Sequence, residues 1–446
     1  MYRKIIEKLR NKKIAILGFG REGKSTYQFI TRHIEDADIT ILDQNPVDLD
    51  ASIKRVEGDS YLEGLDQYDL IIKSPGISLK DLDLTSIQNK ITSQLELLLE
   101  VDKEHIIGIT GTKGKSTTSS LLYEVLKDQL PDVYLLGNIG VPVLDEVENY
   151  TEDSILVIEM SSHQLEFVHE SPHIAAILNL FQDHLDHAGT LEHYHQNKMN
   201  IFRYQNELDY RIYAEDNDYL EKELEKYEYP GIPFSVRFDS SDSVGNAVRL
   251  VDHDIVINHQ VVYHDDTRYL LGDHNLKNIM FVLAIVYLLQ LDMEKASQVI
   301  KNFHGLKYRM EYIGKSHGID FYNDTIATIP DATMNAITAI PNIETVIIGG
   351  LDRGIDYQAF IEFLRNSHLK SIICMPTTGL KIGKILEEKS DKDIYYANTL
   401  EEAYQISLKA TKEGGACILS PAAASYEFFK NFEEKGKAFE ELVKNG

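Results

Sequence analysis

The chain has 446 residues, enough for about three domains at roughly 100–200 residues each. Its 71 acidic residues outnumber 45 Lys and Arg, for a formal charge of −26 on a chain that is 43% hydrophobic. That balance argues against a disordered polymer and against non-specific binding to nucleic acid or an anionic membrane, while two cysteines, Cys374 and Cys417, are too few for a disulfide framework. The opening residues, MYRKIIEKLRNKK, lack the long apolar stretch of a secretory signal, so the cytoplasm is the expected location.

The predicted elements begin with KIAILG, an apolar run from Lys13 that ends at Gly18. A helical stretch follows from Lys24, and ADITILD closes at Asp43, which together make a βαβ start. Another strand, DLIIKSPGIS, turns at Pro75 and Gly76 and belongs to a first α/β domain over 1–97. HIIGIT then runs into a glycine-rich turn and a helix, and DVYLLG, SILVIEM and HIAAILNL follow as strands separated by helices. That alternation predicts a mostly parallel, doubly wound sheet. Residues 207–268, with the alternating run AVRLVDHDIVINHQVVYHD, read as a strand-rich excursion at one sheet edge. A long helix over about 275–291 contains the apolar run Ile279 to Leu289, well short of the roughly 18–20 residues that span a bilayer. After it the βα alternation restarts with ETVIIGG, KSIICM, DIYYA and GACILS, placing a second domain over 98–303 and a third over 304–446.

The strongest local signal is Gly108 to Thr118, GITGTKGKSTT, where a strand passes through a glycine-rich turn into a helix opening at Lys115, Ser116 and Thr117. The N–H groups of Gly111, Thr112, Lys113 and Gly114 and the helix N-terminus form an anion cradle, with Lys115 for outer phosphates and Ser116 for Mg²⁺. The string departs from the strict phosphate-loop pattern at Ile109, five before Gly114; the glycine lies one further back, at Gly108. An ordinary helix-opening turn is the bland alternative, against which the preceding strand and the following TTSSLLYEVL argue. Near the N-terminus, GFGREG over Gly18 to Gly23 fits G-x-G-x-x-G after a strand, with Asp43 about twenty positions on. The general reading is an anionic nucleotide at the first βα turn, a nicotinamide dinucleotide being one case and plain helix–strand packing another.

Glu159 ends the strand SILVIEM at the edge where parallel sheets gather ligands, and two readings stand for it: a metal ligand or a solvated strand-end carboxylate. Asn179 to Lys198, NLFQDHLDHAGTLEHYHQNK, packs His184, His187, His193 and His195 among acids. Their spacing fits neither HExxH nor a cysteine-containing zinc site; a Mg²⁺–phosphate environment with oxygen ligands is expected instead.

Together these pieces resemble the Mur ligases, the ATP-dependent amide-forming enzymes of peptidoglycan precursor synthesis. The blocks stand in the family order along essentially the whole chain: GITGTKGKST, LLGNIG, EMSSHQLE, QDHLDH, Lys198, GDHNLKN, YRME, YNDT with Ala327 and Thr328, GGLDRG and SPAAASYEFFKNFEEKG. SSHQLE and the SPAAAS block look most like the branch that adds glutamate to UDP-N-acetylmuramoyl-L-alanine. The resemblance implies an α/β fold of three domains: a Rossmann-like UDP-binding domain, a central P-loop ATPase domain and a Rossmann-like C-terminal domain.

By resemblance, Gly18, Phe19, Gly20, Asp43, Gln44, Ser74, Pro75 and Gly76 hold the uridine diphosphate of the substrate, and Asn138 orients the substrate's reacting end. Catalytic roles fall to Lys115, Asn138, His184 and Lys198. One Mg²⁺ is implied at Ser116 and Glu159, and a second at His184 and a carbamate that CO₂ forms on Lys198. Asn275 is assigned to the adenine, Arg309 to the ATP phosphates and Asp324 to the ribose, with closure of the third domain completing the site. Substrates are then small molecules, without nucleic acid or membrane, and a monomer is the family's expectation. A folylpolyglutamate-type ligase keeps this chemistry, but LLGNIG and the UDP-type domain count against it. From other classes, a nicotinamide dehydrogenase and an inactive binding protein on the same fold are the alternatives; Lys115, Glu159, His184 and Lys198 count against the second.

At the incoming amino acid the chain departs from the family. By the same resemblance, the D-glutamate-adding members usually read NDSKAT where this chain reads NDTIAT, with Ile326 in the lysine's place. Thr328, Arg353, Ser425 and Phe432 match the glutamate-contacting positions, and Arg353 offers a guanidinium fork suited to a carboxylate. D-Glutamate is the expected acceptor, and the L-glutamate-adding branch is the alternative.

Overall fold

Consecutive apolar residues mark strands covered on both faces, and every residue of Ile106–Thr110 and Ile174–Ile177 is buried. The computed structural model, which describes residues 1–181, 190–238, 246–340, 342–425 and 428–446, builds such strands into three sheets. The chain divides into two compact units, residues 1–266 with 274–300 and residues 267–273 with 301–446.

The first unit holds two sheets. One is wholly parallel, in the order Arg55–Glu57, Asp38–Asp43, Lys13–Leu17, Leu70–Lys73, Ile91–Thr92. Its first helix, Arg21–His33, starts earlier than the sequence pattern predicts because Gly20 serves as N-cap and Glu22 lies in the first turn, where a carboxylate favours the helix N-terminus. The other sheet runs Gln260–His264, Asp254–Ile257, Ala247–Val251, Ile232–Arg237, Tyr210–Ala214, Ile174–Ile177, Ile106–Thr110, Ile155–Glu159, Val133–Gly137. Its neighbours pair in parallel except in the two pairs at one edge, which the alternating run AVRLVDHDIVINHQVVYHD supplies as antiparallel hairpins, so that only Asp254–Ile257 runs against the rest. The helix Asp273–Leu288 is apolar on all sides, and Ile279 and Phe281 in its middle are 0% and 1% exposed, which makes it a core helix. Among the described residues no helix is long and apolar enough to cross a membrane.

The second unit carries one sheet, Glu311–Ser316, Ile319–Asn323, Ala416–Leu419, Ile343–Ile348, Ser371–Cys374, Asp393–Tyr396, antiparallel only in the first pair. Strand alternation divides its core in two: Val346, Ile348, Ile372 and Ile418 face one layer of helices, and Ile347, Ile373, Cys417 and Leu419 the other. Cys374 and Cys417 therefore lie on opposite faces, both buried and unbridged, and burial pushes both thiols up to about 12. The α/β class, with three mostly parallel sheets, is the one the sequence predicts.

Candidate functional site

The strand Ile106–Thr110 lies between Ile155–Glu159 and Ile174–Ile177, where the strand order reverses. The crevice beyond such a strand's C-terminal end is where open α/β sheets take their ligands. The chain turns there through Gly111 and enters the helix Lys115–Gln129 from Gly114, whose φ of +88° suits glycine. A Cβ at Gly114 would stand 2.5 Å from Asn278 Oδ1. Gly108, the displaced glycine of the loop string, serves packing: a Cβ there would come within 2.6 Å of Pro172 Cγ. Asn179 braces the loop and was not singled out by sequence. Its Oδ1 accepts from Lys113 N at 2.9 Å, its Nδ2 donates to Lys113 O at 3.0 Å, and its carbonyl accepts from Thr112 N at 3.0 Å. The only signal for it was its place just past a strand end.

Two ammonium groups converge on one loop carbonyl. Lys115 Nζ donates to Gly111 O at 2.9 Å and to Thr112 O at 3.0 Å. Lys198, 1% exposed on the helix Leu191–Arg203, donates to the same Gly111 O at 2.9 Å and stands 4.9 Å from the Tyr194 ring centre. His184 and His187 lie outside the described residues. The other two histidines of the cluster diverge: His193 Nε2 is 3.7 Å from Glu166 Oε1, and His195 Nδ1 is 3.5 Å from Glu223. Burial lowers the His195 imidazole below its usual value, with Phe181 O and Glu223 opposing.

Glu159 is fully buried, which overturns the solvated strand-end alternative. Its Oε1 accepts from Asn138 Nδ2 at 2.7 Å, while Oε2 has no hydrogen-bond partner among the described residues. A buried carboxylate oxygen left open, with the Ser116 hydroxyl on the adjoining helix turn, is a donor set that fits a hard divalent cation. A different trio, Glu104, His173 and Asp209, also brings metal-type ligands together, but it precedes the strands, at the edge opposite the loop. Lys103 Nζ already sits 3.1 Å from its Asp209.

At the N-terminal turn the three glycines of GFGREG have separate roles. Gly18 has φ +88°, a Cβ on Gly23 would run into Gly18 O, and a Cβ on Gly20 would meet nothing within 4 Å, leaving that side open. Asp43 does not point into the opening: its Oδ2 accepts from Phe19 N at 2.6 Å and its Oδ1 from Asn45 N at 2.8 Å, so the carboxylate shapes the turn. Ser74 Oγ donates to Gly18 O at 2.7 Å, Gln44 and Gly76 are exposed, and Pro75 is half-buried between them. Residues missed by sequence reasoning join this turn to the central sheet. Arg21 donates to Gly137 O at 3.1 Å and Gly140 O at 3.2 Å, Gln164 Nε2 donates to Glu22 Oε1 at 2.9 Å, and Lys73 Nζ stands 3.1 Å from Glu166 Oε2. For Arg21 and Glu22 the sequence signal was only that charged residues fill the variable positions of GFGREG. Asn275 is buried on the long helix, its Oδ1 accepting from Asn278 Nδ2 at 3.1 Å.

In the second unit, Thr328, Arg353 and Ser425 all follow C-terminal ends of neighbouring parallel strands and so share one sheet edge. Arg353 is exposed, Ser425 is buried, and Phe432 packs edge-on to Tyr308 with ring centres 6.1 Å apart. Asp324 accepts from Ser420 Oγ at 2.6 Å and Met310 N at 3.1 Å. Burial nonetheless raises its carboxyl to about 7, with those two bonds and Arg309 opposing.

Three family profiles match the chain: a Mur ligase MurD-like N-terminal domain over 12–95, a Mur ligase middle domain over 109–286 and a Mur ligase glutamate ligase domain over 308–423. Among curated relatives, the UDP-N-acetylmuramoylalanine–D-glutamate ligase of Clostridioides difficile is 32% identical, covering 98% of this chain and 99% of its own. The enzyme of the same name from Caldicellulosiruptor bescii is 31% identical over 98% of each chain. Among solved structures, the UDP-N-acetylmuramate–alanine ligase of Thermotoga maritima aligns with a TM-score of 0.56 at 18% identity over 98% of this chain and all of its own. The MurF ligase of the same organism, in complex with ADP, aligns at 0.57 and 16% over 99% of this chain and 97% of its own. Those two likenesses speak to the fold.

Proposed function

The chain belongs to the Mur ligase family, and from that premise we propose that it joins D-glutamate to UDP-N-acetylmuramoyl-L-alanine, with ATP converted to ADP and phosphate. Mur ligases are ATP-dependent, ADP-forming amide ligases that use Mg²⁺. The observation that carries the reading is the loop Gly111 to Ser116, with Lys115 and Lys198 converging on one carbonyl and Glu159 buried beside it with an open oxygen.

A carboxylate is a poor acylating agent because it has no good leaving group. In the proposed sequence the L-alanyl carboxylate attacks the γ-phosphorus of ATP, the bond to the bridging oxygen breaks, and ADP leaves. The glutamate amine then adds to the acyl carbon and loses a proton, and the tetrahedral intermediate expels phosphate. Negative charge builds on phosphoryl oxygens in the first step and on the former carbonyl oxygen and the departing phosphate in the second, so preorganised donors are the main source of rate. Thr112 N and Lys113 N are taken by Asn179, so Lys115 and the N–H groups of the first turn of the helix Lys115–Gln129 are proposed to supply them. Asn138, whose Nδ2 donates to Glu159, is proposed to orient the substrate's reacting end. Bound Mg²⁺ would neutralise phosphate charge; Ser116 and Glu159 are the ligands proposed for one ion, and His184 with a Lys198 carbamate for the second. Carbamylation would replace an ammonium by an anionic oxygen donor in the same buried position. Gly18, Phe19, Gly20, Gln44 and Ser74 to Gly76 are proposed for the uridine diphosphate, with Asp43 holding the turn that would receive it. Asn275, Arg309 and Asp324 are proposed for ATP, and Thr328, Arg353, Ser425 and Phe432 for glutamate. We place the enzyme in the cytoplasm as a monomer, with domain limits at 97/98 and 303/304.

The D hand of the acceptor is supported by relatives that carry the D-glutamate name. ADP release with UDP-N-acetylmuramoyl-L-alanine and each glutamate enantiomer tests it. Turnover selective for L-glutamate would reverse the hand, and turnover with neither would overturn the assignment.

A further inference from the structure

Lys435 is 2% exposed on the first turn of the helix Phe432–Asn445. Its Nζ donates to Gly349 O at 3.0 Å, and no carboxylate pairs with it among the described residues. An ammonium has three donors, and burying one without a counter-charge is costly. The place of this cation is defined by three loops. Asn323 Nδ2 donates to Gly436 O at 3.0 Å, and a Cβ on Gly436 would stand 2.7 Å from Thr325 Oγ1, so the turn bearing Lys435 lies against residues 323–325, where the loop to Thr328 begins. Gly349 N donates to Pro421 O at 2.9 Å and Leu351 N to Ala424 O at 2.8 Å, so the loop it pins lies against residues 420–425. Each loop leaves the C-terminal end of a parallel strand, the edge at which such sheets bind ligands.

In the same loops Ser425 Oγ is buried with no hydrogen-bond partner among the described residues. An ammonium with one of its three donors on Gly349 O and a hydroxyl with its proton uncommitted are both donors that a carboxylate accepts from. Ile326, in the first of these loops, contributes no charge.

We propose that Lys435 is a specificity-determining residue that supplies, through the floor of the 349–354 loop, the buried positive charge for a carboxylate of the incoming acidic amino acid. This rests on the reading of the chain as a glutamate-adding ligase. Burial alone lowers the ammonium to about 8, and a carboxylate brought beside it would raise it again.

The test compares Lys435→Met, which keeps the length and loses the charge, with Lys435→Arg, which keeps the charge. Lys435→Met should raise the KM for glutamate roughly ten- to a hundredfold, as for a lost charge-assisted hydrogen bond, and narrow the preference for glutamate over glutamine by a similar factor. The KM values for ATP and the sugar nucleotide should stay within about twofold, and Lys435→Arg should recover most of the loss. A folded Lys435→Met protein with an unchanged glutamate KM, or with all three KM values raised together, would overturn the proposal. Should Lys435→Met not fold, lysine-labelled unmodified protein decides by nuclear magnetic resonance. The Lys435 side-chain signal, identified by its loss in Lys435→Arg, should shift on adding glutamate, and a signal that stays still overturns the proposal. If the unmodified enzyme releases no ADP with glutamate, the ligase reading fails and takes this inference with it.

Discussion

Lys115 shows how a single side chain can be read from its neighbours in sequence. It opens a helix directly after a glycine-rich turn, and its ammonium lies on the carbonyls of Gly111 and Thr112, within the loop that would receive phosphate. Lys115→Ala should cut ADP release by about 10²–10³-fold, the cost of one preorganised charge-stabilising donor, and near-normal release would remove the phosphate-loop assignment. Lys198 differs: its own helix offers the ammonium only the Tyr194 ring, and the carbonyl it donates to, Gly111 O, stands 87 positions away in the chain, although the lysine is 1% exposed. Lys198→Ala should abolish ligation with the far-ultraviolet dichroism kept, and added acetate or formate should restore part of the activity by replacing the missing oxygen ligand. Full activity in that variant would exclude the carbamate.

At the scale of single elements, the helix Gln94–Asp102 links local capping to long-range structure. Ser93 caps it by accepting from Glu96 N at 3.1 Å, and the Glu96 carboxylate turns away to accept from His169 N through both oxygens, at 3.1 and 3.0 Å. Burial raises Glu96 from 4.5 to about 7 against those two bonds. A folded-state value above the unfolded one means that the fold binds the proton more tightly. The stabilisation is complete below pH 4.5 and is lost as pH rises through about 7. Over that window the term amounts to about 3 kcal/mol. Glu96→Gln keeps an acceptor for His169 N and removes the titration, so its thermal midpoint should fall less between pH 5 and pH 8 than that of the unmodified protein. Equal falls would refute the assignment.

At the scale of the first unit, Arg21 and Glu22 join the N-terminal turn to LLGNIG and SSHQLE. Arg21→Ala should raise the KM for UDP-N-acetylmuramoyl-L-alanine by about tenfold, the equivalent of one hydrogen-bonded charge, with the KM for ATP little changed. A matching rise for ATP would mean that Arg21 acts on the loop at Gly111 instead. The three sheets, the turn glycines and the phosphate loop are legible in the sequence because each depends on residues adjacent in the chain. Apolar runs make strands, φ beyond the reach of most side chains calls for glycine, and a helix N-terminus draws its cap and charge from its own first turn. Asn179 on Lys113, Lys198 on Gly111, Glu22 on Gln164 and Lys435 on Gly349 are not legible in that way. Those pairs stand 66, 87, 142 and 86 positions apart in the chain. Only strand order and register bring them together, so whether a given asparagine, glutamate or lysine is a solvated surface group or a buried member of the site was decided by tertiary packing.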